Sequence, residues 1–134
     1  MRIVNISAET TWPIRHRVMW PDFPMDFVKL KNDSDGKHFG IFTNEKIVSC
    51  ISVFIAGDSA QFRKLATQPE YQRKGYAALL IKHVIHICFQ MQVKRIWCNA
   101  RIDKTHFYEN FGMTKTNEFF TKADLEFVVM ERIL

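Results

Sequence analysis

The sequence predicts one α/β (α+β) domain, spanning residues 1–134, in which helices cover a partly parallel sheet. Three observations support this prediction. The length of 134 residues is that of a single domain. Hydrophobic residues make up 47% of the chain and charged residues 25%, as in ordinary globular proteins. A strand–helix–strand passage over residues 60–100 requires a crossover connection, and such connections join parallel strands.

The first half of the chain is predicted to hold a strand, a helix, a loop and a β-hairpin. These elements cover residues 2–6, 10–19, 21–37, 38–43 and 47–56. Thr10 or Thr11 would cap the helix, with Pro13 in its first turn. Trp20 would end it, because a residue that precedes proline is pushed out of the helical region.

The second half is predicted to alternate strands and helices before a closing pair of strands. These elements cover residues 60–67, 76–91, 95–100, 104–111, 115–120 and 126–133. The long helix has one apolar stripe at helical spacing, formed by Ala77, Leu80, Ile81, Val84, Cys88 and Met91. Asp103 would cap the short helix and Gly112 would end it.

Charge and cysteine content narrow the class of protein. Residues 60–104 contain nine basic and two acidic residues, so the whole positive excess lies there and suggests an anionic partner. Cys50, Cys88 and Cys98 lie in apolar runs and predict buried free thiols in a cytoplasmic protein. The sequence shows no membrane-spanning stretch. His83 and His86 lack a third ligand, so no metal site is expected.

One loop-to-helix segment combines a glycine with two basic residues and reads Gln72-Arg73-Lys74-Gly75-Tyr76-Ala77. Gly75 allows a tight turn and close approach of a ligand to the backbone. The following helix directs its N–H groups and its dipole at the same point, which suits a pyrophosphate group. The segment is neither a P-loop nor a dinucleotide-binding motif. An ordinary helix start is the alternative interpretation.

A second segment reads Phe107-Tyr108-Glu109-Asn110-Phe111-Gly112-Met113. Phe107 and Phe111 are four residues apart, so both can lie on the core side of a short helix. Tyr108 then points in another direction, where it can line a cleft. A tyrosine packed at the helix edge is the alternative.

Taken in order, these segments resemble the GNAT superfamily of N-acetyltransferases. FRKLATQPEYQRKGYAALLIKHV (residues 62–84) resembles its acetyl-coenzyme A segment, and IWCNARIDKTHFYENFGM (residues 96–113) resembles the strand and helix that follow. The resemblance covers residues 38–134 well, and residues 1–37 only by their strand–helix start. It implies a mixed sheet with a splayed centre, flanked by helices, and acetyl-coenzyme A as co-substrate.

The resemblance also implies which residues bind that co-substrate. Backbone groups of Leu65, Ala66 and Thr67 would pair with the pantetheine arm, and an N–H near Leu65 would polarise the acetyl carbonyl. Asn99 lies where the family often places a polar group beside the arm. The pyrophosphate would be held by Gln72, Arg73, Lys74, Gly75, Tyr76, Ala77 and Ala78.

Tyr108 matches the family's general acid, which protonates the departing thiolate. An ordinary tyrosine pKa of about 10 is close to that of a thiol, about 8.5, so the transfer is reasonable. Some relatives place a glutamate base in the strand before the loop, but residues 61–65 contain no acid. Three alternatives stay open: no base, a base acting through water, or a base supplied elsewhere in the chain. His38 and Glu118 are the unranked candidates for the last of these, and a structural role is the alternative for each.

The implied reaction is direct attack of a neutral amine on acetyl-coenzyme A in a ternary complex. A non-catalytic acyl-coenzyme A binding module on the same fold is one alternative. A small nucleic-acid-binding domain is another, although the sequence lacks a recognition motif for it. We therefore expect no nucleic-acid or membrane partner.

The acceptor is predicted to be a small-molecule or peptide amine. It would meet an aromatic and polar wall formed by Trp12, Arg15, Trp20, residues 21–37 and His38. This mixed wall does not distinguish between acceptors. Either edge strand of the sheet could pair in a homodimer.

Overall fold

The computed structural model describes residues 2–134, and within them the predicted order of strands and helices is confirmed. The elements are β1 (Arg2–Ile6), α1 (Ala8–Met19), β2 (Lys37–Thr43), β3 (Lys46–Ala56), β4 (Ser59–Thr67), α2 (Tyr76–Gln90), β5 (Arg95–Arg101), α3 (Thr105–Glu109), β6 (Thr114–Lys122) and β7 (Leu125–Ile133). Short 3-10 turns occupy parts of the connections. No helix in this part of the chain has the length and apolar character needed to cross a bilayer.

The seven strands form one mixed sheet in the order β1-β2-β3-β4-β5-β7-β6. β4 and β5 are parallel, and the other neighbouring pairs are antiparallel. The crossover through α2 joins the two parallel strands, as predicted. Their pairing runs only from Ser59–Arg95 to Gln61–Trp97. Beyond this point the strands separate, so the sheet is split at its centre.

Helices α1 and α2 pack on opposite faces of the sheet, here called the α1 face and the α2 face. Successive residues of a strand point to opposite faces. Cys50 accordingly packs with Ile14 of α1, while Ile51 belongs to the core that includes α2. The α2 face holds the larger core. Leu80 and Ile81 are fully buried there, each contributing roughly 1.5–3 kcal/mol.

Helix α1 begins at Ala8, so the predicted cap at Thr10 or Thr11 is wrong. Ser7 is the cap, and its hydroxyl accepts the Thr10 N–H at 3.2 Å. Pro13 therefore lies inside the helix, beyond its first turn. The prediction failed because it assumed the usual first-turn position of proline.

Helices α2 and α3 also differ from the prediction at their ends. Met91 follows α2 and is 48% exposed, so it does not extend the buried stripe. Asp103 does not cap α3. It lies in a 3-10 turn before the helix and pairs with Arg101. The Thr105 hydroxyl closes this turn by donating to the Ile102 carbonyl at 3.3 Å.

Candidate active site

The candidate active site is the opening between β4 and β5. Past Gln61 and Trp97 the facing edges of the two strands carry no ladder of hydrogen bonds. The other edge of β4 stays paired, with Ala66 opposite Cys50 and Thr67 opposite Ser49 of β3. The opening thus exposes a strand edge to which an extended ligand can add.

A β-bulge interrupts β4 at the opening. The pairing with β3 shifts register between Cys50 and Ser52, and Lys64 has a φ of 58°. Bulges bend a strand and redirect its groups. Leu65 packs into the core on the α2 face, whereas Ala66 is buried on the α1 face. No local sequence signal predicts this bulge, because Lys64 is neither glycine nor asparagine.

The loop after β4 ends in the N-terminus of α2. Arg73 and Gly75 have φ values of 64° and 87°, and a Cβ added at Gly75 would meet nothing within 4 Å. The first N–H of α2 that bonds within the helix is that of Leu79, which donates to the Gly75 carbonyl at 3.1 Å. No side chain caps the helix, so the preceding N–H groups are available to an anion.

The predicted pyrophosphate residues are contiguous around this helix start. Arg73 and Lys74 are exposed, whereas Tyr76, Ala77 and Ala78 are half-buried. Gln72 fixes the loop to the end of β4, because its side-chain amide donates to the Thr67 carbonyl at 3.1 Å. The loop and the open edge of β4 therefore form one continuous surface.

Tyr108 lies on the α2 face, on α3, where its ring packs on Phe62 and Phe107 at centroid distances of 5.8 and 5.2 Å. Its contact with Phe62 places it beside the strand that opens. Burial, with a smaller effect of Cys98, raises the pKa of Tyr108 well above its usual value. The expectation that this pKa stays near 10 is therefore wrong. The hydroxyl keeps its proton, and complete transfer to a thiolate is less favourable than the sequence suggested.

Asn99 and Cys98 are neighbours on β5, with side chains on opposite faces. The Asn99 side chain is exposed, while Cys98 is buried in the α2-face core. The structure therefore separates the Asn99 side chain from Tyr108. Burial raises the pKa of Cys98 to about 12, which disfavours the thiolate that a cysteine nucleophile needs. All three cysteines are free and buried, as predicted.

A buried polar network occupies the α1 face beside β3. The fully buried Arg15 makes two hydrogen bonds to Asp33, at 2.8 and 3.0 Å, and one to Ser52 at 2.9 Å. His38 has both ring nitrogens in hydrogen bonds, with Ser52 at 2.7 Å and the Asp33 carbonyl at 2.8 Å. Arg15 and His38 thus stabilise the fold and do not line an open acceptor wall. This geometry favours the structural alternative for His38.

An aromatic cluster lies where the sequence predicts an acceptor wall, with Phe23 and Phe27 exposed and Trp20 half-buried. Trp20, Phe23 and Phe27 lie within 4.6–5.3 Å of one another by ring centroids. They follow α1, whose Arg17 hydrogen-bonds to Gln68 just after β4. The cluster therefore lies at the end of the sheet where β4 and β5 open. Glu118, the other candidate base, is exposed on β6.

A groove of about 600 Å³ lies on the α2 face between α2 and the segment that follows α3. Its lining includes Lys82, His86, Asn110 and Arg132. The basic side chains extend the positive surface away from the helix start. Sequence reasoning assigned no function to Lys82, although its charge was counted in the basic segment.

Comparison with known proteins identifies the family. A profile of the Acetyltransferase (GNAT) family matches residues 5–113. The chain is 29% identical over 129 residues to an uncharacterized N-acetyltransferase of Bacillus subtilis (strain 168), YitI, covering 90% of this chain and 87% of that protein. This chain belongs to the GNAT acetyltransferase family, and it is an acyltransferase.

Solved structures show the same fold. A proposed N-acetyltransferase from Lactobacillus plantarum has a TM-score of 0.87 at 16% identity, covering 99% of this chain and 97% of that one. A GNAT family acetyltransferase from Elizabethkingia anophelis, with acetyl-CoA bound, has a TM-score of 0.78 at 14% identity, with 99% and 97% covered. The predicted family and fold are thereby confirmed.

Proposed function

We propose that this acetyltransferase binds acetyl-coenzyme A in the opening between β4 and β5 and transfers the acetyl group directly to an amine. The observation that carries the proposal is the loss of β4–β5 pairing beside an uncapped helix start. An extended thioester arm fits an open strand edge, and a pyrophosphate fits the helix N-terminus. The acetyl-CoA in the Elizabethkingia structure, which shares this fold, supports the assignment.

In this proposal the backbone of Leu65, Ala66 and Thr67 pairs with the pantetheine arm. The positive φ of Lys64 reorients the peptide that precedes Leu65. The N–H of Leu65 would then donate to the acetyl oxygen and stabilise the negative charge that develops there, as an oxyanion hole does. The Asn99 side chain lies on the other face from Tyr108. In this proposal Asn99 therefore contributes through its backbone, at the β5 edge of the opening.

The anionic part of the co-substrate is assigned to the loop and to α2. Seven residues would hold the pyrophosphate through backbone N–H groups and positive charge: Gln72, Arg73, Lys74, Gly75, Tyr76, Ala77 and Ala78. Lys82 lines the groove further along α2, where it would meet the ribose phosphate. The positive charge of residues 60–104 would thus match the phosphates of coenzyme A.

Tyr108 is proposed to act on the leaving sulfur. The neutral amine attacks the acetyl carbon, the carbon–sulfur bond breaks, and the sulfur carries away the electron pair. Tyr108 donates a hydrogen bond to that sulfur and supplies its proton, while the proton lost by the amine returns to Tyr108 through solvent. Since burial raises the pKa of Tyr108, stabilisation by the hydrogen bond dominates over early proton transfer.

A non-catalytic acyl-coenzyme A binding module is the rival function. It would need the same opening and the same loop but no proton donor. The position of Tyr108 beside Phe62, at the opening, favours catalysis. The cysteines give no support to a covalent intermediate, because burial raises the pKa of Cys98 and Cys50 to about 12. Direct transfer is therefore the simpler mechanism.

The proposal is tested by binding and turnover together. Acetyl-coenzyme A should raise the melting temperature of the purified protein by mass action. A panel of amines should then identify acceptors whose addition releases free coenzyme A thiol. Saturable binding without thiol release from any acceptor would favour the non-catalytic module, and the absence of binding would contradict the proposed site.

A further inference from the structure

Two adjacent cations of β4 lie at the opening without a partner. Arg63 and Lys64 follow Gln61, the last residue at which β4 pairs with β5, with only Phe62 between. Both side chains are half-buried. Neither side chain forms an ion pair or a hydrogen bond with another residue in the described range 2–134. Half-buried charges usually have partners, because loss of hydration disfavours the charged form.

The surroundings add positive charge and offer no free acid. Burial lowers the pKa of Lys64, and the charges of Arg63, Arg15 and Lys122 lower it further. Burial also lowers the pKa of Arg63, with a further effect of Arg15. Asp33 is the one carboxylate that acts in the opposite direction on either cation, among the residues described.

The Asp33 carboxylate is already paired with Arg15. Both Asp33 oxygens accept hydrogen bonds from Arg15, and one of them also accepts the Trp12 indole N–H at 3.0 Å and the Leu30 N–H at 2.9 Å. Asp33 therefore neutralises Arg15 and leaves Arg63 and Lys64 uncompensated. Such local destabilisation is typical of positions that a ligand completes.

The two cations are separate from the phosphate-binding surface. Arg63 is paired with Ser52 of β3, which contacts Arg15 on the α1 face. The loop and helix start assigned to coenzyme A follow β4 and belong with α2 on the other face, where Tyr108 also packs. An anion held by Arg63 and Lys64 would therefore belong to the other reactant, the acceptor.

We propose that the acceptor amine carries an anionic group, a carboxylate or a phosphate, which binds between Arg63 and Lys64. This inference rests on the proposed acetyl transfer and names the class of its second substrate. An amino acid or an amino phosphate fits this class, whereas a polyamine or an aminoglycoside would be repelled.

The same charges offer a reason why β4 lacks an acidic base. Positive charges near a bound amine disfavour its ammonium form and lower its pKa. A larger fraction of the bound acceptor is then neutral and able to attack the thioester. The anionic group of the acceptor offsets the repulsion, so that binding and deprotonation are both favourable.

Matched acceptors test the proposal. Amino acids are compared with their amides and their decarboxylated amines, phosphoethanolamine is compared with ethanolamine, and spermidine serves as the polycation. The anionic member of at least one matched set should have a kcat/KM about 10- to 100-fold higher than its uncharged counterparts, as for hydrogen bonds to charged groups. Spermidine should be among the poorest acceptors. Equal or better use of amides, simple amines or spermidine would overturn the proposal.

Variants of Arg63 and Lys64 test whether these residues cause the preference for anionic acceptors. Lys64→Gln and Arg63→Gln should each raise the acceptor KM and reduce the anionic preference at least about fivefold, with the KM for acetyl-coenzyme A unchanged. Each should keep or increase the melting temperature of the free protein, because an uncompensated charge is removed. Lys115→Gln, an exposed lysine of β6, is the control with the same charge change and should preserve the preference.

The outcomes separate this inference from the proposed function. A preference that survives in both β4 variants, or that falls equally in Lys115→Gln, would overturn the assignment of Arg63 and Lys64. Acetylation of neutral or cationic amines only would overturn the anionic acceptor and leave acetyl transfer intact. Failure to bind acetyl-coenzyme A or to acetylate any amine would contradict the proposed function, and with it this inference.

Discussion

Replacing Asp33 with alanine should destabilise the fold strongly, because Arg15 would stay buried without its counter-charge. The Asp33 carboxylate accepts four hydrogen bonds, two from Arg15 and one each from Trp12 and Leu30. Removing one member of a buried ion pair costs about 3–5 kcal/mol. A domain of this size loses roughly 3–6 °C per kcal/mol, so the melting temperature should fall by roughly 10–30 °C.

The assay is thermal unfolding at pH 7, followed by circular dichroism. Glu70→Gln is the matched control, since it breaks the exposed Arg17–Glu70 pair, whose side chains are 49% and 48% exposed. Its melting temperature should stay close to that of the wild type. A fall of less than about 3 °C for Asp33→Ala would refute the view that the buried network stabilises the α1 face.

The pH dependence of the same melts provides a second check. Burial raises the pKa of Asp33, but hydrogen bonds from Arg15, Leu30 and Trp12 outweigh burial and hold the pKa below its usual value. A carboxyl with a depressed pKa in the folded state contributes stability above its unfolded pKa, and that contribution is lost as the pH falls through the folded pKa. The difference between wild type and Asp33→Ala should therefore narrow below about pH 4.

Three further predictions concern the co-substrate surface and the thiols. Gly75→Val should abolish the thermal shift caused by acetyl-coenzyme A, because a β-branched residue disfavours the φ of 87° that this loop adopts. The strain should stay local, since a Cβ there meets no protein atom within 4 Å, and a normal thermal shift would show that the loop does not bind acetyl-coenzyme A. Lys82→Gln should raise the KM for acetyl-coenzyme A about two- to fivefold and leave the KM for its 3′-dephospho form unchanged. An equal rise in both KM values would show that Lys82 does not contact the ribose phosphate. The buried thiols of Cys50 and Cys98 should react with Ellman's reagent at pH 8 only on unfolding, because burial raises the pKa of each to about 12.

Most of the fold could be predicted from local sequence patterns. The apolar stripe of α2 predicted a helix that differs from the observed one only by Met91. The crossover over residues 60–100 predicted the parallel pair, because a helix between two strands leaves few other arrangements. The loop around Gly75 was also predictable, since its φ of 87° is a conformation that glycine adopts freely.

Features that depend on distant contacts were not predictable. Arg15 and Asp33 are 18 residues apart, and Ser52 joins them from another strand, so no local pattern marks the network. The bulge at Lys64 arises from the register with β3. The raised pKa of Tyr108 depends on tertiary burial by Phe62 and other core residues, which spacing along α3 does not reveal.

The kinetics of Tyr108→Phe test the central claim, acetyl transfer assisted by a proton donor at the opening, most directly. Phenylalanine keeps the ring contacts with Phe62 and Phe107 and removes only the hydroxyl. The kcat should fall by roughly 100- to 10,000-fold, the usual effect of a positioned proton donor, with the dissociation constant for acetyl-coenzyme A almost unchanged. An unaltered kcat from pH 6 to 10, or a loss of kcat matched by an equal loss of acetyl-coenzyme A binding, would contradict that claim.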